Sequence, residues 1–567
     1  MKKIKYMIVA ITVLALTVTG CASNGNGTSG GQSASTDGNS NGTQSEVEID
    51  TNFTARDLEV GFEESLATFI TLKDDSAEIS GTGAKLDGNM ITIQKEGTYV
   101  LQGDLKDGQI IVDVSDTEKV QLVLDGVSIH NSSFAPIYIK SGDKVFITLK
   151  EGSNNTLTDG TEYIQVDDNT VDGVIFSKAD LTINGSGTLN ITGSYKHGIV
   201  SKDDIVITGG TYNITAVKDA INGKDAVKIK DGIFTLSSDT GNGIQSKHDS
   251  NSKKGYVYIA GGTITVTKSQ EGIEGTVVII DNGVINIHAE DDGLNAASGS
   301  SDSNEVIIPT WGGAANEEGF PLEGTPPQGI PSDGQLPPWG GTTDGEGESL
   351  EGTPPQGMPS DGQLPPRSGT TDGEGESLEG EMTTDGQRRN PGNFGGGFGQ
   401  ADTNAYILIN GGTIYINAGG DGIDSNGDLY ITGGIVYVDG PTNGGDGAID
   451  YDGKANVSGG IVVATGSVGM AYSFSDTSTQ YSLLYNFSNL NAAGTEVKLT
   501  DENGTVLASF TPNNEYQSVV ISTPEMKKDA TYTITSGEQS DTITLTSIVT
   551  SNGQQGMGGF GGKRPTR

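Results

Sequence analysis

The chain has one cysteine, Cys21, in 567 residues. Neither a disulfide framework nor a cysteine metal centre can be built from it. Basic residues are scarce: 33 Lys+Arg stand against 74 Asp+Glu, a formal net charge of −41. That balance argues against nucleic acid as a partner. The four histidines (His130, His197, His248, His288) have no partners at ligand spacing, so zinc is not indicated. Tryptophan occurs only at 311 and 339, and 13 of the 18 prolines fall between Ser300 and Thr403. Glycine is plentiful, 86 residues, but lacks the three-residue period of collagen.

The N-terminus carries a targeting pattern. Lys2, Lys3 and Lys5 precede an apolar run from Tyr6 to Val18, too short for a stable membrane span, and then Val18-Thr19-Gly20-Cys21. These last four residues resemble a bacterial lipobox. Residues 1–20 are therefore expected to be a lipoprotein signal peptide and Cys21 the lipidated residue. Residues 21–50 form a Gly/Ser/Asn/Thr-rich tether, of which Ala22 to Ser45 alone has a coil reach of roughly 25–30 Å. This predicts a lipid-anchored protein on the extracellular side of a bacterial membrane.

From residue 172 one phrase recurs: a polar residue, a small residue and Ile, followed by two alternating strands joined by small turn residues. Copies start at His197, Asp219, Asn242, Glu271, Asp292 and Asp421, spaced by 22, 23, 29, 21 and 129 residues. Three short strands per repeat, none able to bury its apolar face alone, predict stacked coils of a parallel β-helix. The expected organisation is an N-terminal cap and first coils over 51–171 and rungs over 172–466. A C-terminal antiparallel β cap over 467–548 and a Gly-rich tail over 549–567 complete it. The 129-residue step contains an acidic Pro/Gly-rich insertion, 300–403, with tandem 28-residue copies at Leu322–Ser349 and Leu350–Ser377. It has no core-forming pattern and is expected to be disordered within one rung.

Several segments carry a more specific resemblance. They are Leu149-Lys150-Glu151-Gly152-Ser153-Asn154-Asn155, Asp172 to Leu189, His197-Gly198-Ile199-Val200-Ser201-Lys202-Asp203-Asp204, and Val519-Val520-Ile521-Ser522-Thr523-Pro524. Together they resemble the clostridial-type carbohydrate-binding β-helix family, cell-surface proteins related in fold to calcium-dependent pectate lyases. The resemblance implies a right-handed parallel β-helix that binds cellulose and polygalacturonate with bound calcium.

Aligning the rungs sets out which side chains stack. The position after the inward Ile reads Phe176, Val200, Asn222, Gln245, Glu274, Asn295, Asp424 and Asp450. Two residues before that Ile stand His197, Asp219, Asn242, Glu271, Asp292 and Asp421. Carboxylates at a rung spacing of about 4.8 Å repel and take up a proton or a cation. Glu271, Glu274, Asp292, Asp421, Asp424 and Asp450 are thus candidate calcium ligands, against the alternative of solvated turns. A basic column, Lys178, Lys202, Lys224 and Lys247, reads either as a uronate groove or as a surface salt-bridge ladder. An outward set, Tyr258, Tyr430, Tyr415 and Tyr437 with Asn213 and Asn286, suits sugar rings and hydroxyls, unless the insertion or the C-terminal cap covers it.

The function expected is a monomeric, surface-anchored protein that binds plant cell-wall-type polysaccharide with calcium. A calcium-dependent lyase is the first rival and a structural adhesin the second. Lys247 is the only candidate base for a lyase, because it is where the basic column approaches the acidic one, at Glu271 and Glu274 on the adjacent rung.

Overall fold

A computed structural model describes residues 49–248, 251, 253–298 and 401–552. The signal segment, Cys21, most of the tether, the body of the insertion and residues 553–567 lie outside the described residues. Val549–Ser551, by contrast, expected to open the Gly-rich tail, is a strand paired in parallel with Ser482–Asn491. What is described is all-β apart from one short 3-10 turn, Glu64–Leu66.

Three ladders of parallel strands run through the repeats, and each repeat contributes one strand to each ladder. The first ladder passes from Lys144–Leu149 through Asp180–Gly185 to Ala455–Val457. The second passes from Asn154–Asp159 through Thr188–Gly193 to Ile461–Gly466. The third passes from Met90–Ile93 through Gly173–Ser177 to Ile449–Tyr451. One inward column of the third ladder shows why the repeat folds this way. Ile175, Ile199, Ile221, Ile244, Ile273, Leu294, Ile423 and Ile449 pair in sequence across neighbouring strands and are fully buried. Each such side chain contributes roughly 1.5–3 kcal/mol when taken from water. A single coil has nothing to bury it against, so stacking is obligatory.

Glycine stands at the corners between the first and second ladders. Gly262, Gly283 and Gly412 adopt φ of 97°, 122° and 87°, and a Cβ on Gly412 would lie 2.8 Å from the Gly283 carbonyl oxygen. Glycine is needed there for both reasons.

The ladder is continuous across the long insertion. Val277–Ile280 pairs in parallel with Tyr406–Ile409, and Leu294–Ala296 with Ile423–Ser425. At the C-terminal end Ile461–Gly466 turns to antiparallel pairing with Tyr516–Ser522, so the last coil has no open edge there. A separate four-stranded antiparallel sheet follows, in the order Val506–Phe510, Val497–Thr500, Thr531–Ser536, Gln539–Thr544.

An N-terminal strap, residues 49–59, lies across the outer face of the first ladder. Asp57 is 1% exposed and accepts from Thr182 Oγ1 at 2.7 Å, with Lys144 Nζ at 2.9 Å. Arg56 sits 4.5 Å over the Phe146 ring, and Phe53 packs 5.9 Å from Tyr258. Lys228 Nζ donates to the Asn52 carbonyl at 3.0 Å and Tyr256 Oη to that of Asp50 at 2.8 Å. No periodic pattern marks this segment in the sequence.

Candidate functional site: an acidic corner on the third ladder

The third ladder carries the outward column Tyr138, Phe176, Val200, Asn222, Gln245, Glu274, Asn295, Asp424 and Asp450, each pairing with the next. The register is the one read from the aligned rungs. Its N-terminal part is apolar, where Phe176 and Val200 pack with Phe134, Tyr138 and Val171. Toward the C-terminus it becomes acidic.

The six predicted acidic residues separate into two groups. Glu274 is nearly buried, accepts from Asn242 Nδ2 and Gln245 Nε2, and is ion-paired with Lys247. Glu271 accepts from Asn242 Nδ2 at 3.3 Å and Asn295 Nδ2 at 3.2 Å. Burial, then the Glu274 charge, pushes Glu271 up to about 9. These two carboxyl groups are satisfied by amides, a lysine and a proton.

Asp292, Asp421 and Asp424 instead converge, with one oxygen from each within 4.8 Å of the others. The Asp421 backbone N–H donates to Asp292 Oδ1 at 2.7 Å, and that of Gly447 to Asp421 Oδ1. Burial is the chief reason all three are raised, and neighbouring carboxylates add to it, Asp291 acting on Asp292, Asp292 on Asp421, and both Asp292 and Asp421 on Asp424: Asp292 to about 7, Asp421 to about 8 and Asp424 to about 9. Asp450 pairs with Asp424 on the following rung and is raised by burial too.

Asn295 stands between Glu274 and Asp424 in the column and is 8% exposed. Its Nδ2 turns back to Glu271, while its buried Oδ1 has no hydrogen-bond partner. A buried carbonyl oxygen left unpaired costs roughly 1–3 kcal/mol. Three crowded carboxylates and an orphan amide oxygen are an all-oxygen donor set, which fits a hard divalent cation such as calcium.

A second convergent group, Asp180, Asp203 and Asp204, lies along the basic column. There Lys144 and Lys228 already act on Asp204, and Lys254 is paired with Asp225. Three of the four lysines of the basic column are partnered. Lys178 Nζ meets Asn169 Oδ1 at 2.7 Å, Lys202 lies 3.6 Å from Asp172, and Lys247 pairs with Glu274.

The aromatic set requires a correction. Tyr415 and Tyr437 do share one column with Asn190, Asn213 and Asn286, but Phe510 of the C-terminal sheet covers both, at 5.9 and 5.1 Å. Tyr415 Oη donates to Asp439 at 3.1 Å and accepts from Asn513 Nδ2 at 2.6 Å. These two tyrosines are the seam between coil and cap, not an open sugar platform. Tyr258 is covered as well: it is 7% exposed, lies under Phe53, and donates to Asp281 at 2.7 Å. Tyr430 follows Ile279 and Leu408 in that column and is half-buried, with its hydroxyl on Asp428. Asn213 is exposed and Asn286 half-buried, both on the outer face of the second ladder.

Comparison with known proteins bears on the class. Residues 87–314 match a family described as carbohydrate-binding domain-containing protein. A carbohydrate-binding domain-containing protein of Acetivibrio thermocellus is 40% identical over 136 residues, 24% of this chain and 48% of that relative. The chain thus spans about half the length of the relative it matches. A solved polysaccharide lyase-like protein from C. thermocellum, a gadolinium derivative, is 33% identical over 40% of this chain and 94% of its own, with a TM-score of 0.39. Over residues 87–314 the chain is thus similar to the carbohydrate-binding domain family.

Proposed function

We propose that this protein is a right-handed parallel β-helix that binds plant cell-wall-type polysaccharide, acidic polygalacturonate and/or cellulose, with calcium at the Asp292–Asp421–Asp424 corner. Right-handed winding is what parallel strand crossovers adopt. The observation that carries the reading is the convergence of three part-buried carboxylates beside Asn295, whose buried side-chain oxygen is unpaired. Asp292, Asp421 and Asp424 would hold the ion, with Asn295 and Asp450 beside them. Bound there, calcium would supply a positive charge for the carboxylates of a uronate chain. Cys21 is proposed to be lipidated, so that the coil hangs outside the bacterial membrane.

A glycan array run with and without a chelator tests this. Acidic glycans are expected to bind, and to be lost on chelation. Binding to no glycan would leave the adhesin reading. The lyase reading needs an amine free of its proton, whereas the Lys247 ammonium is held by Glu274. Polygalacturonate incubated with the calcium-loaded protein at alkaline pH is expected to yield no unsaturated product. Product formation abolished by Lys247→Ala would establish the lyase instead.

A further inference from the structure

The second ladder has a long outer face that neither the strap nor the C-terminal sheet reaches, over the strands Thr188–Gly193, Thr211–Ala216, Ile233–Ser238, Thr263–Lys268 and Val284–Ala289. In a chain with 74 acidic residues, these five strands contain no Asp or Glu. Within the described rungs from 172 to 466, the exposed large hydrophobic residues are Ile233, at 55%, and Val284, at 46%. Both stand in one column, with Thr263 between them. Two rungs separate them, about 9.6 Å, close to the length of a disaccharide in an extended chain.

Beside that column the glycine corners leave a trough of about 340 Å³, lined by Gly262, Asn282, Gly283, Val284, Gly412 and Thr413 among others. That is at the small end of ligand sites, about 300–1,000 Å³. Glycine at the corner keeps side chains out of the floor. Asn282 Oδ1 accepts from the Gly283 N–H at 2.9 Å, which turns the amide Nδ2 away from the backbone. Apolar steps at sugar spacing, hydroxyls between them and no carboxylate form a surface complementary to a neutral, hydroxyl-rich chain. An anionic polysaccharide needs a cation, and the acidic corner is on a different ladder.

We propose that this trough and the Ile233–Thr263–Val284 column form a second, calcium-independent site for an extended neutral polysaccharide lying along the coil. Ile233 and Val284 meet the C–H faces of alternate sugars, and Thr263, Thr413 and Asn282 meet their hydroxyls. The proposal rests on the carbohydrate-binding reading and assigns a further surface to it.

The test uses the full chain with insoluble β-glucan as the neutral probe and polygalacturonate as the acidic one, each with calcium and with chelator. The variants are Ile233→Asp with Val284→Asp, and the milder Ile233→Thr with Val284→Thr. Both pairs change exposed side chains, and melting curves check that they fold. Wild-type binding to β-glucan is expected to survive chelation. It should fall at least tenfold in the Asp pair and by less in the Thr pair, with polygalacturonate binding unchanged. Unaltered β-glucan binding in both folded pairs overturns the site, and so does β-glucan binding lost on chelation. Wild type that retains only polygalacturonate defeats this proposal alone. Wild type that binds neither defeats the carbohydrate reading itself.

Discussion

Asp421 donates its backbone N–H to the carboxylate of Asp292 one coil earlier, at 2.7 Å, and the side chains of the same two residues share a corner with Asp424. Ladder hydrogen bonding therefore fixes the spacing of carboxylates that repel one another. The stacked Ile and Leu side chains beneath hold the rungs together despite that repulsion.

The first prediction follows from that opposition. With calcium present, the wild-type melting temperature is expected to rise by mass action. Asp421→Asn with Asp424→Asn should abolish the increment, while the calcium-free protein melts at the same temperature or slightly higher. Differential scanning calorimetry across a calcium series measures both. An intact increment in the double variant would place the ion elsewhere.

Without calcium, the same residues set a pH dependence. Asp292, Asp421 and Asp424 titrate at about 7, 8 and 9 in the fold, against about 3.9 in an unfolded chain. The folded state therefore holds protons that the unfolded state has released. Their contribution is full below about pH 4 and is lost as pH rises toward about 9. Melting temperatures in chelator should fall over that window more steeply for wild type than for the double Asn variant. Parallel curves would refute the burial argument.

Asp57 has the opposite sign. The hydroxyl of Thr182, that of Thr54 and the Lys144 ammonium outweigh its burial and hold it at about 2. Its stabilisation is present above the unfolded value and disappears as pH falls through about 2. Asp57→Ala leaves Lys144 without its buried partner and is expected to cost about 3 kcal/mol. Limited proteolysis should then cut within residues 49–59 before the coil. A strap as resistant as wild type would show that Asp57 does not pin it.

The seam under Phe510 separates a structural role from a binding one. Phe510→Ala is expected to cost about 3 kcal/mol, since a buried ring is replaced by a cavity. Tyr437→Ala should lower the melting temperature and leave polysaccharide affinity unchanged. Lost affinity at unchanged stability would restore Tyr437 as a sugar contact.

Much of this architecture was legible because the repeat is local. The Ile that recurs on each rung fixes the register, and the column from Phe176 to Asp450 then follows by counting. Contacts between distant segments left no such mark. Asp57 reaches Thr182 across 125 residues from a stretch without periodicity. Phe510 meets Tyr415 and Tyr437 from another sheet, so tyrosines that alternate outward still end up covered. The division of the acidic column was also hidden. Counting rungs places Glu274 and Asp424 in one column, but only side-chain geometry shows Lys247 and two amides taking up Glu274.

The most direct measurement of the central claim is calorimetric titration of polygalacturonate into the full chain, in calcium and in chelator, for wild type and for Asp421→Asn with Asp424→Asn. The account predicts binding by wild type in calcium, none in chelator, and none by the folded double variant in either. Equal binding by wild type and double variant in calcium would contradict it.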